Sequence, residues 1–142
     1  MTDTRRPASR GFTLVELLVC AALSAILLSL AVPSYRHSVL KARRQDARAA
    51  LVHLQTLQER YYFDRGRYAA ALDELSPGQG DHTEGGFYSL QIRAAADGQS
   101  YQLAALPLAD QSADVDCQRL TLDEAGRRGA AGGPAADQLC WR

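Results

Sequence analysis

The sequence predicts an α+β protein in which one long helix packs on a small antiparallel sheet. Two observations predict this class. A helical pattern of apolar residues fills most of the first half of the 142-residue chain, and short segments separated by turn residues fill the second half. The length leaves room for one compact domain besides an apolar segment. One helix followed by an antiparallel meander favours a helix-on-sheet sandwich with three to four strands.

The helix is predicted to be long and bent, over about residues 12–63. Its first part, 12–32, holds 21 residues, which give about 31 Å of helix and can span a bilayer core of about 30 Å once. Pro33 removes one backbone hydrogen bond, so a kink is expected there and not an end. Beyond it, apolar residues recur at three-, four- and seven-residue intervals, and Arg44 and Arg48 fall on other faces. The apolar positions are Leu40, Ala47, Leu51, Leu54, Leu57 and Tyr61.

Three strands are predicted after the helix, which Gly66 is expected to end. They lie at 87–93, 101–106 and 117–123. Apolar and polar residues alternate clearly in the first and third, as in half-buried strands, and Asp97-Gly98 supports a tight turn after the first. The segment 124–137 is rich in glycine and alanine and is expected to be an exposed loop. Residues 139–141 would then return to the sheet.

Glu16 is the only charge in the apolar run. An ionised side chain inside a hydrocarbon layer costs about 2.5–3.5 kcal/mol on insertion scales, so its presence calls for a partner.

The residues around Glu16 form a longer pattern. It comprises Gly-Phe-Thr-Leu-Val-Glu at 11–16, the upstream Arg5, Arg6 and Arg10, and the downstream Pro33 and Tyr35. This pattern resembles the N-terminus of type IV prepilins, the subunits of bacterial surface pili. The resemblance implies that residues 1–11 are a leader, which prepilin peptidase removes between Gly11 and Phe12, and that Phe12 is then N-methylated. It also implies a transmembrane and later filament-core segment at 12–33, followed at 34–142 by an amphipathic helix and an external β domain.

The segment 61–75, with its cluster of aromatic residues, is similar to a segment of PilE-like minor pilins. The resemblance implies the pilin fold and a minor pilin that is assembled into a surface filament serving adhesion or twitching motility. In the filament, Glu16 would pair with the methylated amine of Phe12 in an adjacent copy. The implied partners are the peptidase, other pilin subunits, the inner-membrane assembly machinery and, before assembly, membrane lipid. The implied location is the inner membrane, crossed once, and then the extracellular pilus.

Two other interpretations of the apolar run stay open, a removed secretory signal peptide and an uncleaved anchor. A signal peptide normally has a shorter apolar stretch, of about 7–15 residues, followed by a small-residue cleavage site, which residues 31–35 match poorly. The flanking Lys and Arg residues do not settle the orientation, because more of them follow the run than precede it. A cytoplasmic leader and an external domain therefore follow from the resemblance alone.

Cys117 and Cys140 lie near the C-terminus and indicate one disulfide in an oxidising compartment, closing a C-terminal loop. Free buried thiols are the alternative. Cys20 lies inside the apolar run and is expected to stay unpaired.

The sequence shows no catalytic pattern, so we expect neither an enzyme nor a cofactor. His37, His53 and His82 are far apart, and no recognised nucleophile or metal-ligand spacing occurs. Asp110, Asp114 and Asp116 could ligate a hard cation, as in some pseudopilins of type II secretion. They lack the EF-hand pattern, so a solvated acidic loop without a metal is favoured.

Charge argues against nucleic acid as a principal partner, because 16 basic residues balance 16 acidic ones. A basic cluster at 36–48 could face lipid headgroups or a neighbouring subunit. Later arginines could form a patch for DNA, as in the competence pilins that take up DNA; these are Arg93, Arg119, Arg127 and Arg128. A DNA-uptake pilin and a type II secretion pseudopilin are therefore the alternatives to a pilus subunit. The paired C-terminal cysteines and the weak case for calcium count against the pseudopilin.

Overall fold

The computed structural model describes residues 12–142 and contains three α-helices, one 3-10 helix and four strands in this range. The helices are α1 (Leu14–Arg65), α2 (Leu72–Leu75) and α3 (Ala136–Cys140). The strands are β1 (Tyr88–Ala94), β2 (Tyr101–Pro107), β3 (Cys117–Asp123) and β4 (Arg128–Gly132), and the 3-10 helix is Ala109–Ala113. The predicted α+β class, with one long helix and a four-stranded antiparallel sheet, is confirmed.

The chain divides into two units, of which the first ends at Arg36 and the second comprises His37–Arg142. Helix α1 runs through Pro33 without ending, and the kink expected at this proline stays a prediction. The helix does end where glycine was expected to end it. Gly66 has a φ of 69°, and its N–H donates to the carbonyl of Tyr62 at 2.8 Å. A positive φ is a conformation that glycine adopts without a steric penalty.

In the second unit the four strands form an antiparallel meander in the order β1-β2-β3-β4. One register row joins Leu90, Ala105, Leu120 and Ala130, and these residues belong to the hydrophobic core or pack against it. The predicted turn between β1 and β2 is present, with Gly98 at a φ of 65°. Because side chains alternate across a strand, the neighbouring positions point away from the core.

The core of the second unit lies between α1 and the sheet. Ala47, Leu51 and Leu54 of α1 are buried, with Leu103 and Leu122 among the buried strand residues. Each large aliphatic side chain buried in this way stabilises the fold by about 1.5–3 kcal/mol.

One expectation about the sheet is wrong. Residues 128–132, expected to lie in an exposed loop, form strand β4, which pairs with β3. Residues 139–141, expected to return to the sheet, include the end of α3 and do contact it, because Cys140 is bonded to Cys117 of β3 and the indole N–H of Trp141 donates to the carbonyl of Gly129 in β4 at 2.9 Å. The small side chains of β4 carry little strand propensity, so pairing with β3 and the packing of α3 decide its structure.

The expectation that Arg44 lies on another face of α1 is wrong. Arg44 is buried, at 3 % exposure, on the same face as Ala47 and Leu51. Gln58 is buried there too, where its amide donates to the carbonyl of Ala69 at 2.9 Å and accepts from the Ala69 N–H at 2.8 Å. Buried polar groups of this kind are stable because they are hydrogen-bonded.

Candidate functional site

The start of α1 is capped by Thr13. The Thr13 hydroxyl oxygen accepts a hydrogen bond from the backbone N–H of Glu16 at 3.2 Å. Thr-x-x-Glu is the spacing of a capping box, and the first turn of a helix favours a carboxylate because of the helix dipole. Glu16 lies in that first turn. From the sequence, Glu16 was predicted to pair with Phe12 of an adjacent copy, and the cap at Thr13 was missed, although the Thr-x-x-Glu spacing could have shown it.

The first unit presents an apolar helical surface that nothing in the described part of the chain covers. Phe12 is 73 % exposed and Leu14 is 74 % exposed, and every residue from 12 to 36 is exposed. Within residues 12–142, α1 is the one helix long and apolar enough to cross a membrane, judged by length and composition, with a mean hydropathy of 2.5 over its most apolar window. A surface of this size requires lipid or another apolar surface.

The remaining predicted site residues fall into three places. Gly11 lies outside the described residues. Pro33 lies within α1. The predicted partner of Glu16 is the amine of Phe12 in a second subunit, so a single chain cannot show this pair. Cys117 and Cys140 are joined by a disulfide with a Cα–Cα distance of 5.8 Å, and both are fully buried. The C-terminal bridge expected from the sequence is therefore present, and Cys20 is an exposed free cysteine.

A buried ion pair supports the segment before the disulfide. The guanidinium of Arg44 donates to Asp114 through Nε and Nη2, both at 2.8 Å, and each side chain is only 3 % exposed. The hydrogen bond to Asp114 raises the pKa of Arg44. The Gln111 amide donates to the Tyr88 hydroxyl at 2.8 Å and to the carbonyl of Leu40 at 3.1 Å. This network ties α1 to β1 and to the 3-10 helix.

The network corrects the interpretation of the acidic segment at 110–116. It was expected to be a solvated loop, but Asp114 is buried and bound to Arg44, and Asp116 lies 3.8 Å from the same guanidinium. Within residues 12–142, no cluster of three His, Cys, Asp or Glu side chains is placed to hold a metal ion.

The basic cluster at 36–48 is not one surface stripe. Arg43 lies over the ring of Phe87 at 4.2 Å, and Arg44 is buried. Arg48 donates to the backbone carbonyls of Arg44 and Arg142, and burial lowers its pKa. Three of the five cations therefore contact other groups of the second unit. These contacts leave them poorly placed to reach lipid headgroups.

The later arginines do not form one patch either. Arg127 pairs with Asp123 at 2.7 Å, and Arg128 lies over the ring of Trp141 at 5.2 Å. Arg93 and Arg119 instead line a groove of about 360 Å³ at the β1 side of the sheet, together with the carboxylate of Asp81, and neither arginine forms an ion pair with any residue of the range 12–142. These two arginines are therefore available to an anionic ligand.

The long helix on a four-stranded meander, with a C-terminal disulfide and an exposed apolar start, defines the class of type IV pilins. The sequence matches two known protein families. "Prokaryotic N-terminal methylation motif" matches residues 6–32, and "Type IV minor pilin ComP, DNA uptake sequence receptor" matches residues 33–121. The chain belongs to this family of type IV minor pilins.

Individual relatives agree with this assignment. The type IV major pilin protein PilA of Myxococcus xanthus is 30 % identical over 114 residues, which are 78 % of this chain and 49 % of PilA. The type II secretion system core protein G of Klebsiella michiganensis is 39 % identical over 64 residues, 45 % of each chain. The chain thus spans less than half the length of these curated relatives.

A solved structure supports the fold directly. A type IV pilin from Shewanella oneidensis superposes with a TM-score of 0.51 and 31 % identity, over 66 % of this chain and 94 % of that one. The family consists of structural subunits, and its N-terminal motif implies processing by prepilin peptidase and assembly with other pilins.

Proposed function

We propose that this minor pilin is cut between Gly11 and Phe12, N-methylated at Phe12, and assembled into a surface pilus that serves adhesion or twitching motility. The observation that carries the proposal is the exposed apolar surface at 12–36, which begins at Phe12 and holds Glu16 in its first helical turn. Before assembly this surface is covered by inner-membrane lipid. After assembly with the help of the inner-membrane machinery it is covered by the same segment of other subunits, and the β domain lies outside the cell.

Glu16 sets the register of assembly in this proposal. Its side chain is exposed in the single chain, and it makes a poor lipid-facing residue because an ionised group in hydrocarbon calls for a partner. The free amine that cleavage creates at Phe12 of an adjacent subunit supplies a positive charge in the same apolar surroundings. Breaking one half of such a buried pair leaves the other charge uncompensated, so removal of the carboxylate should cost far more than the pair contributes.

Two variants separate the charge of Glu16 from the cap that Thr13 forms on its backbone N–H. Glu16→Gln keeps the size and hydrogen-bonding capacity of the side chain but removes the charge, whereas Thr13→Ala removes the cap and keeps the charge. We expect the Glu16→Gln protein to reach the membrane normally and to enter sheared filaments at least about tenfold less than wild type. Thr13→Ala should enter filaments nearly normally. Equal incorporation of Glu16→Gln and wild type, measured by quantitative immunoblotting of filament and membrane fractions, would contradict a register role for the charge.

DNA binding is a second candidate function. Two observations favour it: the matching family description names a DNA uptake sequence receptor, and Arg93 and Arg119 of the groove beside β1 form no ion pair within residues 12–142. The neighbouring Gln91 and Gln102 add hydrogen-bonding amides to the same groove. Because the whole chain is electrically balanced, the binding is expected to be weak and strongly dependent on salt.

The salt dependence tests this candidate. We expect the full-length protein in nonionic detergent to bind a short labelled DNA duplex more weakly as salt rises. When Arg93 and Arg119 are both replaced by alanine, the plot of log affinity against log salt concentration should become less steep by about two. Arg127→Ala is the matched control, because Arg127 is already paired with Asp123. An unchanged slope in the double variant, or an equal loss in the control, would exclude this groove as the DNA contact.

A further inference from the structure

Strand β1 lies at one edge of the sheet, and only the first part of that edge is paired. Along it, the N–H of Leu90 donates to the carbonyl of Asp81 at 2.6 Å. The carbonyl of Tyr88 accepts from the N–H of Thr83 at 2.9 Å. Residues 81–83 therefore cover the edge as far as Leu90. An uncovered strand edge is a template on which another extended chain can form backbone hydrogen bonds.

The rest of the edge has unpaired backbone groups. Strand β1 pairs with β2 in a regular register from Tyr88 to Ala94, and backbone groups alternate between the two sides of a strand. The N–H and C=O groups of Ile92 and Ala94 therefore point to the same free side as the N–H of Leu90. None of these groups has a hydrogen-bond partner among residues 12–142. They can accept an added strand without breaking any bond of the sheet.

The groove that holds Arg93 and Arg119 follows this free edge. Its lining includes both faces of β1, because Leu90 and Ile92 belong to the core or pack against it, whereas Arg93 is exposed on the opposite face. Since β1 is an edge strand, a groove that touches both of its faces must pass around its edge. Leu72, which also packs against the core, adds to the apolar side. The groove therefore offers one apolar side and one basic side to a single extended segment.

The two arginines set the charge of the groove. Neither forms an ion pair within residues 12–142, and the carboxylate of Asp81 already has a partner in Nδ1 of His82 at 2.8 Å. Unpaired guanidinium groups attract carboxylates. Because successive side chains of a strand point to opposite faces, a segment fits this groove best when acidic and apolar residues alternate.

We propose that the free edge of β1 binds an extended peptide segment of a partner protein in which acidic and apolar residues alternate. The segment adds a strand to the four-stranded sheet, with its backbone paired to Ile92 and Ala94. Its carboxylates reach Arg93 and Arg119. Its apolar side chains lie on the side of Leu72.

Two other occupants use the groove less fully. DNA would contact the arginines and leave the backbone groups of β1 unpaired. A second copy of this chain offers the alternating run Asp114-Val115-Asp116, but Asp114 is buried against Arg44 and cannot reach another chain. A partner protein with an exposed acidic segment is therefore the occupant that matches both the backbone groups and the charge.

The peptide acetyl-Thr-Glu-Val-Glu-Val-Thr-amide and two N-methylated isomers test the added strand. One isomer is methylated on both glutamate amide nitrogens, and the other on both valine amide nitrogens. In an extended peptide these two sets of N–H groups point to opposite edges, so only one set can face β1. Binding to the full-length protein in nonionic detergent is measured by the anisotropy of a fluorescent label on each peptide.

We expect the unmethylated peptide to bind with a Kd of about 1 mM or tighter. One isomer should bind at least about tenfold more weakly, and the other should bind nearly as the parent does. Equal loss with both isomers, equal retention by both, or no binding of the parent peptide would overturn the proposal.

A protein variant tests the basic side. Arg93→Gln, at an exposed position, should weaken binding of the parent peptide about threefold and leave binding of the same peptide with glutamine in place of glutamate unchanged. Arg127→Gln is the matched control, because Arg127 is paired with Asp123 and does not line the groove. Equal binding by Arg93→Gln and wild type, or an equal loss in the control, would refute the role of the basic side.

Discussion

Removing the carboxylate of Asp114 should strongly destabilise the second unit, because it leaves the guanidinium of Arg44 buried without its partner. Both side chains are 3 % exposed and are joined by two hydrogen bonds of 2.8 Å. Loss of one member of a buried pair typically costs about 3–5 kcal/mol. Asp116 remains 3.8 Å from Arg44 and is partly exposed, so it offers weak compensation. We therefore expect Asp114→Ala to lower the free energy of unfolding by about 3 kcal/mol, a large part of the roughly 5–15 kcal/mol typical of one domain.

Urea unfolding of the full-length protein in detergent measures this loss, with the fluorescence of Trp141 as the signal. Trp141 is the only tryptophan in the sequence, and its indole N–H donates to the carbonyl of Gly129 at 2.9 Å, so it reports on the C-terminal region. The control is Arg127→Ala, which removes the exposed member of the pair with Asp123 and leaves the Asp123 carboxylate to accept from the backbone N–H groups of Ala125 and Arg127. Exposed pairs contribute little, so the control should unfold close to wild type.

The double variant Arg44→Met with Asp114→Ala tests the reason for the loss. If the stranded charge of Arg44 causes the instability, replacing it with an apolar side chain should recover at least about 1 kcal/mol relative to Asp114→Ala. Two results would refute the unpaired charge of Arg44 as the cause. One is a free energy of unfolding for Asp114→Ala within about 1 kcal/mol of wild type. The other is a double variant that is less stable than Asp114→Ala.

Two further predictions concern the same region. Reduction of the bridge between Cys117 and Cys140 should lower the free energy of unfolding by about 3.5 kcal/mol, since it releases a closed loop of about 24 residues. It should also shift the fluorescence of Trp141, while the far-UV circular dichroism of α1 persists. Equal urea midpoints with and without reductant would contradict this. Burial raises the pKa of Tyr88 from 10.0 to about 12. The folded state therefore holds the phenol proton more firmly than the unfolded state does. The free energy of unfolding should fall as the pH rises from about 10 to 12. Over that pH range the urea midpoint of Tyr88→Phe should fall less steeply than that of wild type. Equal dependence of the two midpoints on pH would contradict a role for Tyr88.

The sequence predicted the elements whose patterns are local and strong. The helix was expected at about 12–63 and is found at Leu14–Arg65, and three strands were placed within about one residue of their observed bounds. Gly66 and Gly98 marked their turns because a positive φ leaves a clear residue signature.

The errors came from tertiary contacts that no local pattern shows. Arg44 was assigned to a solvent face because arginine is rarely buried unless paired, and its partner Asp114 lies 70 residues further along the chain. Strand β4 was missed because its glycines and alanines have low strand propensity, and pairing with β3 supplies the missing preference.

Mass spectrometry of the protein in filaments sheared from cells tests the pilus-subunit proposal most directly. A processed subunit should begin at Phe12, carry one methyl group on its N-terminal nitrogen, and lack residues 1–11. The disulfide between Cys117 and Cys140 should be intact in the same species. Detection of only the 142-residue chain, or absence of the protein from the sheared fraction while it is abundant in the membrane, would contradict processing and assembly as a pilus subunit.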